Sequence, residues 1–197
     1  MMTFALALIA LIAFISFYVI GMYNNLIKLR QQQKNSFSQI DVQLTRRYEL
    51  IPNLVEVAKS YMKHEQDTLE KVIQARNVAW AAKKSASQDP SNAEAMTKLM
   101  VAENAVRGQL GSFMAISESY PELRSNETMK SLMEELTSTD NKVSFARQSY
   151  NDMTTDYNTA LEVFPSNIIA NMFNFSAATL YEVEDQKARS AVKVKFD

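Results

Sequence analysis

The sequence predicts an all-α protein, in which an N-terminal transmembrane helix continues into an antiparallel up-and-down bundle of four long helices, followed by a short C-terminal helix or extended tail. Three observations carry that expectation. Gly occurs 3 times and Pro 4 times in 197 residues, far below the ~7% and ~5% of ordinary chains, so turn formers are scarce and helices should be long. Apolar side chains recur at alternating steps of three and four over most of the chain, which is the spacing of a single helix face. Residues 4–23 are apolar, and the first charged side chain is Lys28.

The N-terminal stretch is long enough to cross a hydrocarbon core of roughly 30 Å as a helix, the one open-ended structure that satisfies its own backbone in lipid. A cleaved secretory signal is a poorer description. No basic region precedes the apolar run, the run exceeds the usual ~7–15 residues, and no small-residue cleavage site follows it. Lys28, Arg30 and Lys34 follow the span whereas only the α-amino group precedes it. By the positive-inside rule the N-terminus is therefore expected outside and the bundle in the cytoplasm of a bacterial inner membrane. The same three side chains are candidate contacts for anionic headgroups.

Beyond the span, Tyr23, Leu26, Arg30, Gln33, Phe37, Ile40, Leu44, Arg47 and Ile51 form one seam. The anchor should thus run on into solvent as a rod. Pro52 removes a backbone donor and crowds the preceding turn, so the first helix is expected to end there. The alternative is that Pro52 only kinks one very long helix, with the stretch after Pro165 as the fourth member.

A second helix is expected over residues 53–86, with Leu54, Ala58, Tyr61, Leu69, Val72 and Ile73 on one side, before a polar linker containing Pro90. The third runs from Ala93 through Met96, Leu99, Glu103, Val106, Leu110, Phe113, Ser117 and Tyr120 to Pro121. Ser125, Asn126 and Glu127 supply a cap and an acidic first turn for the last long helix. Its seam passes through Leu132, Leu136, Thr139, Val143, Ala146, Tyr150, Met153, Tyr157, Ala160 and Phe164, a rod of roughly 60 Å. Up-down-up-down order returns its end to the bilayer.

There the apolar sequence resumes with Ile168, Ile169, Met172, Phe173 and Phe175. These are the candidate assembly or membrane-proximal contacts. Two readings stand open: core that folds back on the bundle base, or a surface that enters the membrane interface or docks a neighbour. Residues 192–196 alternate like a strand but are expected to form an extended tail. The resulting division is an anchor over 1–23, a bundle over 24–164, and an amphipathic segment with tail over 165–197.

Composition excludes most chemistry. Cysteine is absent, which removes thiolate nucleophiles, disulfides and Cys-based metal sites. The net charge of −1 argues against nucleic acid as a partner. His64, the one histidine, stands beside Glu65 without the second histidine that a zinc-protease helix needs. Glu134, Glu135, Asp140, Asp152 and Asp156 are spread over a charged helix face, and a di-iron bundle would require more than one histidine. Asn104, Arg107, Arg147 and Asn151 are candidates for buried polar links between helices. No nucleophile, base and orienting acid can be argued together, so no enzyme, cofactor, metal or small-molecule substrate is expected.

Several segments are more specific than this periodicity. Tyr23-Asn-Asn-Leu-Ile-Lys-Leu-Arg30, Ser38-Gln-Ile-Asp-Val-Gln-Leu-Thr-Arg-Arg-Tyr-Glu-Leu-Ile-Pro-Asn-Leu-Val55, Ser119-Tyr-Pro-Glu-Leu-Arg124, Phe145-Ala-Arg-Gln-Ser-Tyr-Asn-Asp152 and Tyr157-Asn-Thr-Ala-Leu-Glu-Val-Phe-Pro-Ser-Asn-Ile-Ile-Ala170 resemble the hallmark segments of the bacterial LemA family. One departure is Asn35-Ser-Phe37, where members often carry Ala-Trp; Phe37 keeps an aromatic on the seam. The resemblance implies a membrane-anchored bundle of long helices without an established enzymatic activity, and supplies no catalytic residue. The expected function is a structural scaffold or self-assembling module, a homo-oligomer in the lipid bilayer. The alternative is a regulatory adaptor for another membrane protein, such as a protease or signalling enzyme.

Overall fold

The computed structural model describes residues 1–182. It is all-α, with six helices among the described residues: α1 (Met2–Lys59), α2 (Gln66–Gln88), α3 (Ala93–Ser117), α4 (Pro121–Ser125), α5 (Glu127–Glu162) and α6 (Ser166–Met172). The predicted tail over residues 192–196 lies outside the described residues. Four long helices pack as a bundle in which α1 meets α5 and α2, and α2 meets α3. Most positions of the seams read from sequence lie on buried faces, Phe164 excepted. Phe37, Ile40, Leu44, Tyr48, Ile51 and Leu54 of α1 share one core with Met96, Leu99, Val106 and Phe113 of α3 and with Leu136, Val143 and Tyr150 of α5.

At 58 residues, α1 is about 87 Å long. Its first third is exposed, with Phe4, Ile9, Phe14 and Phe17 all uncovered, and this stretch is apolar and long enough to cross a membrane. From Leu26 onward the same helix supplies core residues. The exposed apolar stretch and the bundle helix are one continuous element.

The expected reversal at Pro52 does not occur. Pro52 lies inside α1, which continues to Lys59, and α2 begins at Gln66 rather than at Asn53. A proline at this position removes the donor that would reach the carbonyl of Tyr48, four residues back. Arg76 of α2 takes its place, donating from Nε to the Tyr48 carbonyl over 2.8 Å, while its guanidinium lies 4.7 Å over the Trp80 ring. A neighbouring side chain thus satisfies the carbonyl that the proline orphans. Arg76→Met is expected to destabilise the bundle by about 1–3 kcal/mol. Pro52→Ala, which restores the helical donor, should recover most of that loss. Thermal unfolding of the full chain in detergent, followed by circular dichroism, checks both.

The reversal falls at residues 60–65 instead, anchored by the buried Met62. The other helix starts follow the sequence. Asn92 accepts from the Ala95 amide at 3.0 Å, and Asn126 accepts from the Met129 amide at 2.9 Å, capping α3 and α5. The linker between α2 and α3 sits beside α1 and α5. Asp89 pairs with Lys34 at 3.2 Å, and the carbonyl of Pro90 is 3.2 Å from the Tyr150 hydroxyl.

Towards the apolar N-terminal stretch from that linker, α1 and α5 extend with α6 packed against both. After α6 the chain reverses at Asn174, whose φ of 54° is left-handed. Residues 175–182 then form no helix and lie along α5.

Candidate assembly and membrane-proximal sites

Ile169 and Ala170 of α6 bury against Leu26 of α1, with Val19, Met22 and Tyr23 around them. This fixes α6 at the height where the exposed apolar part of α1 gives way to the bundle. Tyr23 organises the edge of the contact, its ring centroid 4.8 Å from that of Phe173 and 5.7 Å from that of Phe175. Arg30 lies 5.2 Å over the Phe175 ring. Much of the segment stays uncovered: Phe164, Ile168 and Met172 are exposed, and so is Phe173 despite its contact with Tyr23. The segment therefore divides, with Ile169 as core and Ile168, Met172 and Phe173 left as exposed surface. Phe164 leaves the seam of α5 and joins that surface.

The basic flank divides in a similar way. Lys28 is exposed, Arg30 is stacked on Phe175, and Lys34 is paired with Asp89. Of the three, Lys28 is the exposed one with no partner side chain among the described residues.

The seams of α1 and α3 each carry a charge, and these charges meet. Arg47 pairs with Glu103 through Nη2 and donates from Nη1 to Asp140 Oδ1 at 2.8 Å. Tyr48 donates to the other oxygen of Glu103, and Arg147 Nη2 approaches Glu103 at 3.6 Å. Arg147 also lies 4.7 Å over the ring of Tyr181. Burial works against the charge on Arg47, but Glu103 and Asp140 outweigh it and hold the guanidinium protonated above its ordinary range. Burial, reinforced by Glu103, pushes the hydroxyls of Tyr48 and Tyr181 up and keeps them neutral.

Those raised values have a consequence at alkaline pH. In the unfolded chain these tyrosines ionise near 10.0, whereas in the bundle they resist. The unfolded state then binds fewer protons, so stability is full below that value and falls as pH rises through it. Chemical denaturation about one pH unit either side of 10.0 should show a lower midpoint on the alkaline side.

Of the other polar candidates, Arg147 and Asn151 are engaged as links, while Arg107 is exposed. Asn151 holds the Tyr181 backbone rather than another helix. His64 is exposed in the 60–65 turn, and Glu134, Asp152 and Asp156 are exposed on α5. Glu135 binds Arg46 Nε at 3.0 Å. Among the described residues no group of three or more acidic or histidine side chains gathers as a metal site. A shallow groove of about 490 Å³ between α1 and α5 is lined by Val42, Phe145 and Ala146, with Val42 and Phe145 exposed.

The model of the LemA family matches residues 36–196. The chain belongs to the LemA family. It is also similar to the magnetosome proteins MamQ 1 and MamQ 2 of Paramagnetospirillum magneticum, each 22% identical over 192 residues, covering 90% of this chain and 70% of theirs. The magnetosome protein MamQ of Magnetospirillum gryphiswaldense is 23% identical over 186 residues, covering 87% of this chain and 68% of its own. The LemA-like segments named from sequence supply the α1 and α5 side of the interior. Residues 38–55 contribute Arg47, Tyr48 and Pro52, residues 145–152 contribute Arg147, Tyr150 and Asn151, and residues 157–170 contribute Tyr157, Asn158 and Ile169. In this LemA protein they serve the charged core and the docking of the C-terminal chain.

Proposed function

We propose that this protein is a non-enzymatic, single-pass membrane protein whose bundle stands on the cytoplasmic face of the bacterial inner membrane as a structural scaffold and self-assembling module. In that arrangement residues 1–23 are the anchor, 24–164 the bundle, and 165–197 the amphipathic segment and tail. The observation that carries the proposal is the exposed apolar set Phe164, Ile168, Met172 and Phe173, held by Ile169 and Leu26 at the foot of the bundle. Soluble surfaces seldom present such a cluster unless it meets lipid or protein. The uninterrupted α1 supports a mechanical role, because a rod without a joint fixes the height of the bundle relative to the bilayer. Lys28 then faces the headgroups beside that surface.

The paired change Ile168→Asp and Phe173→Asp is expected to abolish self-association in detergent while leaving helical content unchanged. Light scattering that finds the same particle mass for variant and parent would contradict the proposal. For orientation, a C-terminal tag should resist protease in intact spheroplasts; digestion from outside would overturn the cytoplasmic placement.

A second reading, a regulatory adaptor for another membrane protein, is favoured by the Val42–Phe145 groove between α1 and α5. It predicts a single chain when purified alone and a stable complex with a different protein in the membrane.

A further inference from the structure

The chain that returns along α5 enters a channel between α5 and α3. Asn158 holds the Ala178 backbone, donating and accepting at 2.9 Å, and one heptad earlier Asn151 holds that of Tyr181, donating at 3.2 Å and accepting at 2.8 Å. Tyr157 bonds the Ser176 carbonyl and Tyr150 the Thr179 carbonyl, so the chain travels away from α6 and towards the start of α5. Tyr181 is buried, with Arg147 of α5 4.7 Å over its ring and Glu103 of α3 close enough to act on its hydroxyl. Among the described residues α3 packs on α2 and α5 on α1, but α3 and α5 do not pack closely on each other. Tyr181 occupies the space between them.

The same channel opens again at the other end of the bundle. Two heptads after Glu103 on α3 comes Ser117, and two heptads before Arg147 on α5 comes Met133. Both line a groove of about 340 Å³ that Leu123 of α4 completes. Its floor is apolar, with Leu123 and Met129 buried and Met133 half-buried. Its rim is charged, with Arg124, Lys130 and Glu134 exposed.

The described chain stops at Glu182, at the near end of this channel, and residues 183–197 follow. From Asn151 to Met133 the helix rises about 27 Å, which an extended chain covers in about eight residues. Tyr181 stands opposite Asn151, so the sequence that reaches the groove includes Val192-Lys-Val-Lys-Phe196. A period of two sets Val192, Val194 and Phe196 apart from Lys193 and Lys195. The apolar set matches the floor, the lysines match Glu134, and Asp197 matches Arg124 and Lys130. The family match runs through residue 196, so the shared LemA pattern includes this run.

We propose that the groove between α3, α4 and α5 is the docking site for residues 192–196 of the same chain. The C-terminal segment then straps α3 to α5 from the level of α6 to the opposite end of the bundle, and closes by an extended chain the one side of the bundle that direct helix packing leaves open. The strap is intramolecular, so it stands whether or not copies of the protein assemble.

Because the chain has no cysteine, introduced thiols report position. In the full chain, oxidised in the membrane, Met133→Cys with Val194→Cys is expected to form a disulfide within one chain, whereas Val78→Cys, at an exposed position of α2, forms none with Val194→Cys. No disulfide from the first pair, equal yields from both pairs, or a link that joins two differently tagged chains each overturns the proposal. Alkylation reads the groove independently. The thiol of Met133→Cys alone should react at least about tenfold faster once Val194→Asp and Phe196→Asp remove the apolar side of the strap, at unchanged helical content. An unchanged rate overturns the docking.

Discussion

Glu103→Gln is expected to destabilise the bundle by about 3–5 kcal/mol, because it leaves two buried guanidinium groups around a neutral amide. The side chains of Arg47 and Glu103 are each 3% exposed and that of Arg147 is 11% exposed, so water does little to compensate the loss. Asp140 continues to serve Arg47 at 2.8 Å, but its own side chain is 54% exposed and it does not reach across to α3. Among the described residues the Nε atoms of Arg47 and Arg147 already lack hydrogen-bond partners, so the cluster has donors in excess before the change. Replacing the set together, with Arg47→Met, Tyr48→Phe, Glu103→Leu and Arg147→Leu, should recover most of the stability, since an ion cluster of this kind is costly to break and cheap to replace by apolar packing, and the Tyr48 hydroxyl must go with the acceptor it loses. Chemical denaturation of the full chain, comparing single and quadruple variants, reads both effects. A single variant with the parent's midpoint would show that the cluster contributes nothing.

Tyr150→Ala should cost a similar amount, about 3–5 kcal/mol, because it removes a fully buried aromatic that packs edge-on to Phe37 at 5.8 Å. The hydroxyl adds a second component. It accepts from Gln33 Nε2 at 2.9 Å and lies within reach of the carbonyls of Thr179 and Pro90. One side chain thus joins α1, the α2–α3 linker, α5 and the returning chain. Tyr150→Phe keeps the ring and loses only the bonds, so it should cost about 1–3 kcal/mol. The difference between the two variants, measured by thermal unfolding, separates packing from hydrogen bonding.

The architecture was legible where burial follows periodicity. Ile40, Leu44, Val143 and Phe113 sit where the three-four spacing places them, and Asn126 caps as its position before Glu127 implied. Pro52 misled because its effect depends on a partner in space: only the docking of α2 brings Arg76 to the Tyr48 carbonyl. The true reversal at 60–65 carried a fainter mark, the interruption of apolar spacing between Tyr61 and Leu69, and it needed no turn glycine. Indeed all three glycines, Gly21, Gly108 and Gly111, lie within helices.

At the candidate sites, the apolar character of Ile168 to Phe175 was readable but its division between core and surface was not, since that depends on where α6 meets Leu26. Arg47 and Glu103 announced themselves as charges on apolar seams, yet their pairing spans two helices distant in sequence. Tyr150 and Tyr157 were placed on the α5 seam from sequence, but the Tyr150-Asn151 and Tyr157-Asn158 repeat was not read there. Its meaning required the extended chain that it holds.

The central claim, a membrane-anchored module that assembles with itself, is tested most directly by the protein mass of the full chain per particle in lipid nanodiscs or mild detergent, with lipid and detergent subtracted. The expected result is a fixed whole-number multiple of the 22.4 kDa chain, lost on Ile168→Asp with Phe173→Asp. A particle holding one 22.4 kDa chain at every protein concentration would contradict it.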